Sequence, residues 1–88
     1  MTEREMTIVN SLGLHARPAA QLVRLSSTFQ AEIQFEKDGF SVNGKSIMGV
    51  MMLAAECGST LRVRAEGADA EQAVEAIAAL VAQGFGES

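Results

Sequence analysis

The chain has one histidine, His15, and it stands where a turn gives way to an apolar-periodic segment, Gly13-Leu14-His15-Ala16-Arg17-Pro18-Ala19-Ala20. A helix that starts just after His15 leaves backbone N–H groups without partners and places partial positive charge at its tip, which suits an anion. Arg17, two residues on, adds a permanent guanidinium able to hold phosphate oxygens through two hydrogen bonds. The helix end and the guanidinium both disfavour a further positive charge on the imidazole. A neutral ring keeps a lone pair and can act as a nucleophile near neutral pH. No second base and no metal-ligand cluster accompanies the histidine, so the chemistry is that of carrying a phosphoryl group rather than hydrolysing an ester. The plain alternative is a surface histidine that does no more than begin a helix.

The elements that must position these residues are legible as hydrophobic periodicities. Glu3 to Asn10 alternates as a strand, with Met6 and Ile8 on one side and Thr7 and Val9 on the other. Ala16 to Phe29 is helical, with Ala19, Leu22, Val23 and Ser26 on one face and Pro18 in the first turn, where a missing N–H costs nothing. Ala31 to Glu36 alternates again, Asp38-Gly39 is a hairpin turn, and Phe40 and Val42 belong to a short return strand. Ser46 caps a helix expected to run to about Glu56, and Thr60 to Glu66 is the cleanest strand pattern. Asp69, with Gln72 three residues on, is expected to cap a last helix that buries Ala73, Val74, Ile77, Leu80 and Val81 and stops at Gly84.

The order β-α-β-β-α-β-α, with half-buried strands joined partly by hairpins, predicts an α+β fold. The expected architecture is a two-layer open-faced sandwich, a four-stranded antiparallel sheet with three helices on one face. At 88 residues it is expected to form a single domain spanning 1–88. The composition, 48% hydrophobic and 20% charged, is globular rather than disordered.

Composition also excludes functions. Seven basic against 11 acidic residues give a net charge of −4, and the only aromatics are four Phe, so neither a phosphate-backbone tract nor a base-stacking surface is expected. No nucleic-acid partner follows. No apolar run approaches the ~20 residues that span a bilayer, so no membrane insertion is expected. A lone Cys57 and a charged start without a signal-peptide stretch point to the cytoplasm. Cys57 itself is read as a small structural residue, and no metal or cofactor is expected.

Gly39-Phe40-Ser41-Val42-Asn43-Gly44-Lys45-Ser46 matches the phosphate-cradling G-x-x-x-x-G-K-[ST] pattern. The four spacer residues alternate as a hairpin strand, no apolar run ending in Asp follows to hold magnesium, and the chain is too short for a nucleotide-binding parallel sheet. A nucleotide site is therefore the outlying reading.

The segment Gly13-Leu14-His15-Ala16-Arg17-Pro18-Ala19 resembles the active-site signature of the HPr family, the histidine-containing phosphocarriers of the bacterial phosphoenolpyruvate-dependent phosphotransferase system. Lys45-Ser46-Ile47-Met48-Gly49-Val50-Met51 resembles that family's regulatory-serine region, and the spacing of the two, the length and the element order agree with it. The resemblance covers essentially the whole chain. It implies that His15 accepts a phosphoryl group on Nδ1 from Enzyme I and passes it to an EIIA component of a sugar permease. Arg17 and the backbone N–H groups of Ala16 and Arg17 would steady the group. The chain would be a carrier and substrate of phosphotransferases without turnover of its own, and a monomer.

By the same resemblance Ser46 is the target of HPr kinase/phosphorylase, in addition to its role as a helix cap. Ile47, Met48 and Met51, with Ala20 and Arg24 on the preceding helix, would form the partner-docking patch, while Val50 and Leu53 go inward. Two further readings stand beside this one. One is an HPr-like regulator of the nitrogen branch, relaying phosphate to a regulatory EIIA. The other is a Ser46-phosphorylated, corepressor-type protein that docks a transcriptional regulator. Relatives of the latter kind lack the active-site histidine, and this chain keeps it.

Overall fold

In the computed structural model, which describes residues 1–87, the strands are β1 (Thr2–Thr7), β2 (Glu32–Lys37), β3 (Phe40–Asn43) and β4 (Thr60–Glu66). The helices are α1 (Ala16–Ser26), α2 (Ile47–Met52) and α3 (Ala70–Ala82), and a 3₁₀ turn follows at Gly84–Gly86. All strand pairs are antiparallel, in the order β1-β4-β2-β3. Because β4 inserts between β1 and β2, those two run parallel, and α1 makes the crossover between them. The expected open four-stranded antiparallel sheet with three helices is what forms.

Alternation decides which face of the sheet is covered. Met6, Ile33, Phe35, Val42, Leu61 and Val63 point inward and are buried, closing a core with Leu22 of α1, Val50 and Leu53 by α2, and Ile77 and Val81 of α3. The other face carries charge. Glu3 lies opposite Arg64 and Glu5 opposite Arg62 in the β1–β4 register, and their side chains pair at 2.9 and 2.8 Å. Arg64 also reaches Glu36 at 3.3 Å. These glutamates and arginines form a cross-strand ladder of alternating sign.

Three expectations at helix ends are corrected. The first helix, α1, stops at Ser26 rather than running to Phe29. The helix that begins at Ser46 stops at Met52, not near Glu56. Ala54 turns into left-handed backbone (φ 50), which swings Ala55 inward so that its carbonyl accepts the Leu14 N–H at 2.8 Å. That bond ties the loop after α2 to the start of α1, and a longer helix would forfeit it. Asp69 precedes α3, but its side chain does not cap that helix. With ψ at 24° rather than in the extended region favoured by capping residues, its carboxylate instead accepts the N–H groups of Gln30 (2.9 Å) and Ala31 (2.8 Å). It therefore fastens the α1–β2 connection to the root of α3.

The Gln30 hydrogen bond, helped by that of Ala31 and the charge of Lys45 and opposed by desolvation, holds the Asp69 carboxyl below its ordinary value of 3.8. Its stabilisation is thus complete above that pH and is lost as pH falls through the depressed value. Asp69→Asn should melt at lower temperature than the parent at pH 7, and the gap should close only as pH drops well below 3.8. Melting curves of both proteins from pH 7 to pH 2.5 check this; a gap that is the same throughout would contradict it.

Candidate phosphoryl-acceptor site at the start of the first helix

His15 is the residue immediately before α1, in extended backbone (φ −76, ψ −172). The segment leading to it is shaped by Gly13, whose φ of +68 favours glycine and whose place leaves no room for a side chain: a Cβ there would stand 2.6 Å from the Ala55 carbonyl oxygen. Leu14 is buried and anchors the turn, so His15 emerges at the surface with its backbone fixed.

The open end of α1 is small and well defined. The first N–H to bond back into the helix is that of Ala19, to the His15 carbonyl at 3.0 Å. Pro18 has no N–H, so the amides left for an anion are those of Ala16 and Arg17, both on exposed residues. The Arg17 guanidinium is exposed and, among the described residues, holds no ion pair. The two expected backbone donors and the guanidinium thus stand at the same helix end as the imidazole.

What the sequence did not point to is Glu87. Past α3 the chain runs through Gly84, Phe85 and Gly86, all in left-handed backbone (φ 64, 58 and 76), and doubles back. Phe85 is buried in the core. Two residues later the Glu87 carboxylate meets His15, with Nε2 at 3.1 Å from Oε1 and 3.0 Å from Oε2. Asn10 donates Nδ2 to Glu87 Oε1 at 3.0 Å and to the Gly13 carbonyl at 2.7 Å. Both partners can only accept, which fixes which end of the Asn10 amide faces them.

The Glu87 side chain is only 14% exposed. The hydrogen bond from His15, with that from Asn10 and the positive charge of Arg17, outweighs this desolvation and holds its carboxyl below the ordinary value of 4.5. An ionised carboxylate is acceptor-only, so the His15 Nε2 must carry a proton. In the neutral ring the lone pair is then on Nδ1, which has no hydrogen-bond partner among the described residues and does not cap its own helix. The local charge is therefore not simply positive, as the helix end and Arg17 alone suggested. A carboxylate balances it on the far side of the ring.

The other expected site residues lie on the two helices packed together at this end. Ser46 caps α2, its Oγ accepting the Gly49 N–H at 3.2 Å. Arg24 is exposed on α1 and Ala20 half-buried. Ile47, Met48 and Met51 are exposed, and Val50 and Leu53 are buried, as expected. Met52 and Leu12 are exposed as well and extend the apolar surface beyond what the sequence suggested. Cys57 is not an interior residue. It is exposed, and it lines a shallow groove shared with Leu12, Leu14, His15, Ala55 and Glu56.

The G-x-x-x-x-G-K-S match dissolves in the fold, since its spacer is an antiparallel strand and the helix after it has six residues. Among the described residues no cluster of three or more His, Cys, Asp or Glu could hold a metal, and no helix is long and apolar enough to cross a membrane.

A family model described as PTS HPr component phosphorylation site matches residues 2–83. The chain belongs to the HPr family of phosphotransferase-system phosphocarriers. It is 47% identical to the phosphocarrier protein HPr of Cupriavidus necator over 87 residues, 99% of this chain and 98% of the relative. It is 46% identical to the HPr-like protein Crh of Halalkalibacterium halodurans over 81 residues, 92% of this chain and 96% of that one. Among solved structures, HPr-C-His from Thermoanaerobacter tengcongensis superposes with a TM-score of 0.96 at 45% identity, covering 100% of this chain and 99% of that one. The His15 helix end and the Ser46 cap both lie inside the matched region, and Glu87 lies outside it.

Proposed function

We propose that the chain carries a phosphoryl group on His15 Nδ1, taken from a phosphohistidine of Enzyme I and delivered to an EIIA domain of a sugar permease. The observation that carries this reading is the division of labour on the imidazole. Glu87 holds the Nε2 proton, and Nδ1 keeps its lone pair at a helix end with two open amides and a guanidinium that has no ion pair among the described residues. In the transfer, Nδ1 attacks phosphorus in line, the bond to the donor nitrogen breaks, and charge spreads over the three phosphoryl oxygens. Arg17 and the amides of Ala16 and Arg17 meet those oxygens. Once the N–P bond forms, the ring, still protonated at Nε2, becomes cationic, and Glu87 lies against that charge. When the N–P bond breaks, its electron pair returns to Nδ1 and the ring departs as neutral imidazole, a good leaving group, which keeps the bound phosphoryl transferable.

His15, Arg17 and Glu87 all come from one chain, so one copy suffices and the monomer is the working unit. The site is open to solvent, which suits brief contact with a donor and then an acceptor in the cytoplasm, without a cofactor of its own. Ala20, Arg24, Ile47, Met48 and Met51 form the docking face, apolar with basic residues at its edge, to which a partner with an acidic rim is complementary. The isolated phospho-form, mixed with a sugar-permease EIIA or with a nitrogen-branch EIIA, tests the delivery step. Loss of the group to the sugar-permease EIIA within seconds supports the reading. Transfer to the nitrogen-branch domain alone would move the chain to that branch.

Ser46 is proposed as the regulatory site, modified by HPr kinase/phosphorylase. A phosphate or carboxylate is tolerated at a helix N-terminus, so the effect falls on docking rather than on the fold. Ser46→Asp should melt near the parent temperature yet accept phosphate from Enzyme I about tenfold more slowly, the equivalent of about 1.4 kcal/mol, because it sets negative charge beside a face meant for an acidic partner. Equal rates for the two proteins would remove this role. A corepressor-type function through phospho-Ser46 and a transcriptional regulator needs no histidine, and the organised His15 site weighs against it as the main role.

A further inference from the structure

Three of the five methionines lie within the six residues of α2, and all three face solvent: Met48 is 72% exposed, Met52 65% and Met51 43%. Their spacing of three and four residues puts them on one side of the helix, next to Ile47. The opposite side is held by buried Val50, with Leu53 just beyond the helix. A thioether is the one apolar side chain that mild oxidants convert directly into a strongly polar one. Leucine would supply the same helix propensity and as much apolar surface without that liability.

We propose that Met48, Met51 and Met52 are a peroxide-sensitive modification site whose oxidation to sulfoxides turns off docking of the phosphoryl donor while leaving the fold and His15 intact. The inference rests on the carrier reading given above and adds its regulation. In the reaction the lone pair of each sulfur takes one oxygen from a peroxide. The O–O bond breaks, sulfur is oxidised by two electrons, and the peroxide is reduced to water. The sulfoxide oxygen is a strong acceptor on a surface that must be dry when a partner covers it, so each one left unpaired in the complex weakens it. The core is out of reach, because the residues by α2 that pack inward contain no sulfur and the remaining internal methionine, Met6, is buried. Met1 is exposed but lies by Glu32 and Gln34 of the sheet layer, so its oxidation does not alter the α2 face. Methionine sulfoxide reductases return sulfoxide to thioether, which makes the switch reversible.

The test uses the full chain carrying Cys57→Ser, so that thiol oxidation does not contribute. Hydrogen peroxide is applied until peptide mapping finds sulfoxide at Met48, Met51 and Met52, and transfer from phospho-Enzyme I is measured over a range of carrier concentrations. The expected result is a KM raised about tenfold or more with kcat little changed, the separation that marks lost docking rather than lost chemistry. Melting temperature is retained, and KM recovers after reductase treatment. In a Met48→Leu, Met51→Leu, Met52→Leu version of the same chain, KM before and after peroxide should agree, each protein serving as its own reference. An unchanged KM in the trisulfoxide protein, or an equal rise in the leucine version, would overturn the proposal and leave the carrier reading standing. A reduced, untreated chain that takes no phosphoryl group would remove both.

Discussion

Replacing Arg17 with alanine should lower kcat/KM for phosphoryl transfer from Enzyme I roughly a hundredfold, the usual cost of removing one preorganised donor from a site of developing charge. The side chain is exposed and holds no ion pair among the described residues, so the folded state does not depend on it. Melting temperature should be unchanged, which separates this effect from damage to the fold. Arg17→Lys keeps the charge but loses the planar pair of donors, and should recover only part of the rate. The check is steady-state transfer beside thermal melts for all three proteins. A full rate in Arg17→Ala would mean that the open amides of Ala16 and Arg17 suffice to hold the phosphoryl group.

The second large effect is expected far from His15 in sequence. Phe85 is buried, and truncation of such a side chain costs about 3–5 kcal/mol. A small domain has about 5–15 kcal/mol in total, so Phe85→Ala should lower the melting temperature by more than about 10 °C. It should also loosen Glu87, which the buried ring two residues earlier, together with the Asn10 hydrogen bond, holds back across the fold against His15. Below its melting point the variant should have an altered His15 ring resonance in NMR spectra and slower transfer than the parent. Phe85→Leu, which keeps most of the apolar volume, should do much less. A Phe85→Ala protein that melts with the parent would show that residues 84–87 are not fastened as described.

What was legible in the sequence was local. The start of α1 is written in His15 and Pro18, the cap of α2 in Ser46, and the inward residues of β4 in a strict alternation, and each lies where its own neighbours dictate. The family signature added His15, Arg17 and Ser46 together. The features that escaped join distant segments. Glu87 meets His15 across 72 positions and Asp69 meets Gln30 across 39, and no periodicity encodes such meetings.

Gly84 was read correctly as a helix stop. The signal that more follows was a phenylalanine bracketed by glycines, Gly84-Phe85-Gly86, which permits a reversal and supplies an apolar anchor for it. Asp69 misled because its spacing to Gln72 is that of a capping box, while the backbone turns the carboxylate toward another loop. Cys57 was read as a small structural residue, and the early end of α2 at Met52 leaves it exposed on the rim of the groove it shares with His15.

The central claim is that His15 takes up one phosphoryl group and that the rest of the site serves it. Intact mass after mixing with Enzyme I, magnesium and phosphoenolpyruvate, beside a His15→Ala control, tests it most directly. The account predicts a gain of a single phosphoryl group that is lost in acid, survives alkali and is absent from the control. No gain with an Enzyme I shown to be active on another carrier, or the same gain in His15→Ala, would contradict it.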